Sequence, residues 1–476
     1  VKSMNQKASP NLDIPFIASH YDSNTVALQD DRDSVTYREL TKAVKYRTSE
    51  WQNIIDQDEQ QRPVVILFFD NSITSVVDYL SALTLNYVIV LLNPSCSSDT
   101  RAAYFEQFNP NAVIENGKVL LSHNEHLFCD PRVSLLLSTS GSMGAGKCVA
   151  LSHCNIKANC EAILSYLPIL PSDNTLLTLP LSYSYGLSVL HTHLAIGATV
   201  CFTRHSVFDK GFWQIVKHQP INSLSGVPTF YEMLLRLRFT SMSLPDLRYL
   251  TQAGGKLATA YVTRLAQYTQ KTGKAFYVMY GQTEATARMA YLSPDKVLVK
   301  PGAIGNAIAG GEFKLVNADS DNGEGELFYR GENVMLGYVS TIQDLVTFSE
   351  TDWLATGDLA TQDNDGDYTI TGRTKRIIKI AGERVNLDLV EQAFINILAK
   401  YNLLSHACVV GFDDKVIGVY AGVISAKHLS EVIEHLSISL SLPKRNVAID
   451  IVESLPLLNN GKVDYTSVIQ TMTGAG

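Results

Sequence analysis

Ser138-Thr139-Ser140-Gly141-Ser142-Met143-Gly144-Ala145-Gly146-Lys147 is the stretch on which the reading of this sequence turns. It follows the apolar run Leu135-Leu136-Leu137, so a strand delivers the chain into a loop of hydroxyls, glycines and one lysine. That composition suits a phosphate. Glycines let backbone N–H groups point inward at an anion, hydroxyls add donors, and the lysine adds positive charge.

Outward from the loop, apolar runs of strand length alternate with amphipathic stretches of helix length: residues 64–69, then 73–85 with helical spacing, then 88–92. The cadence returns at 134–138, 155–167, 175–179, 187–194 and 199–202, which predicts parallel and mixed sheets covered by helices. From about Ala303 short alternating strands sit between Gly and Asp/Asn turns, as in a small antiparallel, barrel-like part. After Arg373 the pattern is mixed again. The expected architecture is therefore α/β, with a large N-terminal domain over 1–373 and a small, mobile α+β domain over 374–476.

With 476 residues, 46% hydrophobic and 18% charged, the chain is an ordinary globular one, long enough for more than one core. Its net charge of -8, with 39 basic against 47 acidic residues and no basic block, argues against a nucleic-acid partner. Seven cysteines without a CxxC pair suggest neither a disulfide framework nor a zinc cluster. No apolar run approaches the ~20 residues of a membrane span. A cytoplasmic protein is expected.

Taken literally, Gly141 to Lys147 fits GxxxxGK, the loop of nucleoside triphosphatases. That loop needs Ser or Thr after its lysine to hold magnesium, and Cys148 is a poor ligand for a hard cation. The stretch also resembles the phosphate loop T-S-G-[ST]-T-G-x-P-K-G of the adenylate-forming family, which includes acyl-CoA synthetases, luciferases and the adenylation domains of peptide synthetases. Gly146 replaces the proline there, and Cys148 the following glycine. Other segments resemble the same family's motifs in the same order, from Thr36-Tyr37-Arg38-Glu39-Leu40 to Asn460-Gly461-Lys462, so the likeness spans essentially the whole chain.

That resemblance implies a role for each matching residue. Thr139, Ser140, Gly141, Ser142, Met143, Gly144 and Lys147 hold the phosphates of ATP. Tyr280-Gly281-Gln282-Thr283-Glu284 supplies a ring for adenine, a hydroxyl for the α-phosphate and, in Glu284, a carboxylate for Mg²⁺; each role suits its residue type. Trp353-Leu354-Ala355-Thr356-Gly357-Asp358 offers Asp358 as a bidentate acceptor for the ribose hydroxyls. Arg373, in Gly372-Arg373-Thr374-Lys375, also reaches the ribose, and Lys375 is the hinge. Gly254 and Gly255 border the acyl pocket and adenine, and Tyr183, Gly186 and Gly382 are assigned with Gly254 to the acyl pocket or thiol tunnel. Lys462 is the catalytic lysine, acting with Glu284 and Thr283.

The implied reaction joins a small-molecule carboxylic acid to AMP, releasing pyrophosphate, and then passes the acyl group to a thiol. The thiol belongs to coenzyme A or to the phosphopantetheine of an acyl carrier protein, and the sequence leaves both open. Tyr183 stands where many members carry a histidine, Arg376 where an acidic residue usually follows the hinge, and Asn386-Leu387-Asp388 where S-P-x is common. No Asp occurs in 180–190, where members that activate amino acids bind the substrate ammonium, so an uncharged acyl or aryl acid is favoured. Two rivals remain: a P-loop NTPase releasing ADP, and an inactive nucleotide-binding protein, which loss of Lys462, Glu284 or Asp358 would betray. All three are present.

Overall fold

The computed structural model describes residues 13–55, 62–121, 128–138, 146–319, 323–380, 383–403, 406–412, 415–440, 442–458 and 461–473. The chain packs as two compact units, Val1–Arg204 with Met335–Glu350, and His205–Val334 with Thr351–Gly476. The expected boundary after Arg373 falls inside the second unit.

In the first unit a seven-stranded sheet runs in the order 337–339, 148–152, 133–138, 88–92, 64–68, 112–115, 118–121. Its central strands Val64–Phe68 and Val88–Leu92 are parallel and buried at every residue, which is why they read as unbroken apolar runs rather than alternating ones. Ser72 accepts from the Ser75 amide and so starts the helix Ile73–Thr84 between them. Strands 174–177, 199–202 and 26–29 pair in parallel, and 34–36 closes antiparallel on 26–29.

The glycine loop lies in this unit, and its flanks separate the two readings of it. Val133–Ser138 pairs antiparallel with Cys148–Ser152, Ser138 opposite Cys148. The chain therefore leaves the loop into a strand, whereas a nucleoside-triphosphatase loop opens a helix. Cys148 is fully buried, with its thiol 3.9 Å from the Tyr104 hydroxyl, and occupies a core position rather than a magnesium seat. The triphosphatase reading is corrected on both counts.

In the second unit Ile221–Gly226, Tyr249–Gln252 and Ala275–Tyr280 pair in parallel, and Ala290–Leu292 returns antiparallel to the last of them. The expected antiparallel part is a four-stranded sheet in the order 312–316, 325–330, 354–362, 368–373. Beyond it, strands Ala407–Phe412, Lys415–Ala421 and Val447–Val452 form a small sheet with a core on each face. Val409, Val416 and Phe394 lie in one core, and Cys408, Val410 and Val468 in the other, the alternation that a pleated strand imposes. Among the described residues no helix is long and apolar enough to cross a membrane.

The turn between strands 354–362 and 368–373 gathers Asp363, Asp365 and Asp367, a cluster that resembles a metal site. The cation is the protein's own: Lys300 Nζ lies 2.7, 2.7 and 2.6 Å from the three carboxylates. Asp367 is 1% exposed and also takes Lys296 at 3.0 Å and Asn306 Nδ2 at 2.9 Å. Removing a buried partner leaves charge uncompensated, so Asp367→Ala should cost about 3 kcal/mol, the low end for a broken buried pair because both lysines keep some solvent. Asp365→Ala, at an exposed position, should cost under ~0.5 kcal/mol. Denaturant unfolding of the two variants measures the contrast, and equal midpoints would show that the turn is not anchored by Asp367.

Candidate active site

The hairpin of strands Leu354–Gln362 and Tyr368–Arg373 builds the centre of the site. Its register sets Asp358 directly opposite Arg373, so two motifs separate in sequence become cross-strand neighbours. Arg373 Nε lies 3.2 Å from Asp358 Oδ1, and the Tyr280 hydroxyl donates to Asp358 Oδ2 at 2.5 Å. Asp358 is 8% exposed. Burial pushes its carboxyl up, while Arg373 and the Tyr280 hydroxyl pull it down. Gly357, at φ +73°, supplies the left-handed step before it, and Thr356 Oγ1 accepts from the Asp358 amide while donating to the Leu327 carbonyl.

Tyr280 ends the strand Ala275–Tyr280, and the chain then folds back so that the Met289 amide bonds the Tyr280 carbonyl at 2.8 Å. Gly281 sits under that return. A Cβ there would lie 2.0 Å from the Ala287 carbonyl oxygen, so this glycine answers to packing. Thr283 and Glu284 lie on the 3₁₀ turn Thr283–Ala285, both partly exposed.

Lys462 arrives from the far end of the sequence on a small turn. The Leu458 amide bonds the Lys462 carbonyl and the Gly461 amide the Leu458 carbonyl, each at 2.8 Å, with Gly461 at φ +80°. Thr229 Oγ1 donates to the Gly461 carbonyl at 3.1 Å and docks the turn on the start of the helix Pro228–Arg236. Gly255 lies beside the same helix end, where an added Cβ would lie 3.1 Å from Pro228, and Gly254 before it takes φ +83°. Burial first and Arg373 second bring the Lys462 ammonium down to about 8, against the opposing pull of Glu284 and Asp358. Tyr280, Glu284, Asp358, Arg373 and Lys462 thus form one charged cluster.

Lys375 is the exposed middle residue of the 3₁₀ turn Thr374–Arg376. The residues on either side are fastened in opposite directions. Arg373 is held by Asp358, whereas Arg376 bonds Asp388 at 2.7 Å and Glu391 at 3.1 Å and lies 4.0 Å over the Tyr465 ring. The departure at Arg376 thereby finds its reason: it is the anchor of the C-terminal helix Leu387–Lys400. Asn386 caps that helix and donates Nδ2 to the Thr371 carbonyl at 3.1 Å.

Lys147 is exposed, its ammonium 5.7 Å from the Tyr338 ring centroid. Tyr183 stands at the N-cap of the helix Ser184–Ile196, edge-on to Tyr185, and a Cβ on Gly186 would lie 2.3 Å from the Pro180 carbonyl oxygen. Thr139, Ser140, Gly141, Ser142, Met143, Gly144 and Gly382 lie outside the described residues. Thr229 and Glu391 were not legible from the sequence, because neither sits in a motif and each acts through a tertiary contact.

Residues 129–339 match the family model described as AMP-binding enzyme. The chain is 26% identical over 378 residues to an oxalate–CoA ligase of Arabidopsis thaliana, covering 76% of this chain and 70% of the relative. It is 28% identical over 362 residues to an indoleacetate–CoA ligase of Aromatoleum aromaticum, covering 72% and 68%. Among solved structures it resembles an anthranilate CoA ligase in complex with anthranoyl-AMP, with TM-score 0.80, 19% identity and coverage of 98% and 97%. An o-succinylbenzoate CoA synthetase of Bacillus subtilis aligns with TM-score 0.78, 21% identity and coverage of 95% and 97%. The fold is that of the adenylate-forming ligases. Over 129–339 the chain is similar to the AMP-binding enzymes, and its relatives of 26% and 28% identity are CoA ligases.

The charge balance around Lys462 is testable without any substrate. Competitive amine labelling followed by mass spectrometry should give Lys462 a titration midpoint near 8 rather than the ordinary 10.5. Arg373→Gln removes a neighbour that disfavours the ammonium and should raise the midpoint; Glu284→Gln removes one that favours it and should lower it further. A midpoint near 10.5 in all three proteins would show that Lys462 stands in solvent.

Proposed function

We propose that this protein activates a carboxylic acid with ATP, forming an acyl-adenylate and pyrophosphate, and transfers the acyl group to the thiol of coenzyme A with release of AMP. The observation that carries this reading is the convergence of Lys462 with Glu284, Asp358 and Arg373 beside Tyr280. Those residue types at that spacing suit a nucleotide whose α-phosphate is the electrophile.

Each role rests on residue chemistry. The Tyr280 ring offers a flat face to adenine. Asp358 spends one acceptor site per oxygen on Tyr280 and Arg373, and a carboxylate has about four, so sites remain for the ribose hydroxyls. Thr283 donates to the α-phosphate. Glu284 fits the Mg²⁺ that accompanies ATP, since that ion takes one or two protein carboxylates and completes its shell with phosphates and water. Lys147 and the hydroxyls of 139–144 serve the outer phosphates. Gly254 opens the acyl pocket, and Tyr183, Gly186 and Gly382 are assigned to the pocket or the thiol passage.

In the first step a carboxylate oxygen attacks the α-phosphorus and the bond to pyrophosphate breaks. The Lys462 ammonium meets charge that gathers on the phosphoryl oxygens, and so stabilises the transition state more than the bound substrates. In the second step a thiolate attacks the acyl carbon and AMP leaves. Lys462 has no charge to meet there. The proposed hinge at Lys375, between the anchors at Arg373 and Arg376, lets 374–476 withdraw the lysine between steps, with 1–373 as the large domain. The names of the relatives favour coenzyme A over a carrier protein as the acceptor.

With the right acid, AMP and pyrophosphate should be the stoichiometric products; ADP would end this reading. Lys462→Ala should lose pyrophosphate exchange by ~100–1,000-fold, the scale of a lost transition-state contact, yet still make thioester from a synthetic acyl-adenylate. The ammonium is present below its pKa, so wild-type exchange should fall as pH rises through about 8, and Lys462→Arg should move the fall to higher pH. Equal loss of both half-reactions in Lys462→Ala would remove the lysine from phosphoryl chemistry.

A further inference from the structure

The segment after Glu284 holds a conformation that its residues do not choose. Thr286 has φ +66° and ψ -63°. For a β-branched residue this is an outlier, and the Ala287 amide bonds the Ala285 carbonyl two residues back at 2.8 Å, closing a γ-turn of the rare hand. Such a turn persists only where its surroundings enforce it.

Asn333 enforces it. This buried side chain, reached through the turn after the strand Gly325–Arg330, donates Nδ2 to the Ala285 carbonyl at 2.9 Å and to the Arg288 carbonyl at 3.0 Å, bracketing Thr286. Its backbone carbonyl accepts from Thr286 Oγ1 at 2.7 Å. Its own orientation is fixed by the Tyr329 hydroxyl, which donates to Asn333 Oδ1 at 2.9 Å. On the other side the turn is tied directly to the site: the Thr286 amide bonds the Thr283 carbonyl at 3.0 Å, and the Ala285 amide bonds the Gln282 carbonyl at 3.1 Å. The clamp and Glu284 are therefore joined through the backbone of a single turn.

We infer that Asn333 is a positioning residue for the nucleotide: by clamping the strained turn at Thr286 it fixes the directions in which Thr283 and Glu284 present hydroxyl and carboxylate. The idea deepens the proposed roles of those two residues and rests on them. A small displacement of groups that must meet a phosphate and its metal costs on the order of 100-fold in rate, so a clamp one turn away has a large lever.

The test combines one readout that needs no substrate with one that does. Hydrogen–deuterium exchange of wild type, Asn333→Ala and Thr286→Val should show faster exchange confined to the 283–288 amides in both variants. Thr286→Val keeps the β-branch and replaces the hydroxyl by a methyl, which covers the case in which Asn333→Ala does not fold. In pyrophosphate exchange, Asn333→Ala should lose on the order of 100-fold in wild type. The same change should cost little more in the double variant Thr283→Ala/Glu284→Gln, because both groups being aimed are already gone. Adding Thr286→Gly to Asn333→Ala should restore about tenfold, since glycine takes positive φ without strain. Unchanged deuterium exchange over 283–288, or the same loss in both backgrounds without rescue by glycine, would overturn the inference. If wild type exchanges pyrophosphate with no acid, the proposed function fails, while deuterium exchange still decides the clamp.

Discussion

The site depends on one carboxylate whose charge burial disfavours. Asp358 is nearly out of solvent, and what offsets that is a guanidinium across the hairpin and a phenol hydroxyl at the end of a parallel strand. The same two contacts do mechanical work. Through Tyr280 the carboxylate joins the strand Ala275–Tyr280 to the antiparallel sheet, and through Arg373 it fixes the last residue before the turn that leads to the C-terminal portion. Lys462 meets a field already set by these groups. Among two carboxylates and a guanidinium the ammonium titrates near 8, and the proposed function sets that charge beside a phosphoryl group that gathers negative charge.

A second constraint lies in the junction at 373–376. Arg373 and Arg376 are two cations three residues apart that belong to different structural partners: Arg373 to a carboxylate of the antiparallel sheet, Arg376 to carboxylates of the helix Leu387–Lys400 and to the ring of Tyr465. Between them lie only Thr374, whose hydroxyl donates to the Gly357 carbonyl, and the exposed Lys375, and the proposed hinge places the rotation of 374–476 at this short link. The sequence makes Arg376 look like a substitution at an acidic position; in the structure it is half of the fastening.

Much of this was legible in the sequence, for reasons that differ by residue. The buried parallel strands announced themselves as the runs at 64–68 and 88–92, because strands covered on both faces have no polar side to show. Tyr280, Glu284, Asp358, Arg373 and Lys462 were singled out by the resemblance of their motifs, and the fold brings these side chains together. Groups whose work is tertiary stayed hidden. Thr229, Asn333 and Glu391 are ordinary polar residues in ordinary surroundings until the chain folds, and then each satisfies a backbone group or a charge far away. Gly281 and Gly186 show the converse. The resemblance put Gly281 in the nucleotide motif and Gly186 at the acyl pocket or thiol tunnel, and the structure gives each a backbone carbonyl at its α-carbon as sufficient reason to be glycine. The triphosphatase reading of the loop failed on topology: its flanking segments are paired strands, and only the fold shows that.

The central claim is that a carboxylate oxygen becomes bonded to the α-phosphorus of ATP and stays there when the thiol takes the acyl group. Isotope transfer tests this most directly. The acid labelled with ¹⁸O in its carboxyl group is turned over with ATP and coenzyme A, and the phosphorus products are separated and weighed. The account predicts one ¹⁸O atom in the phosphate of AMP and none in pyrophosphate. Label in inorganic phosphate or pyrophosphate, or AMP free of label while thioester accumulates, would contradict it.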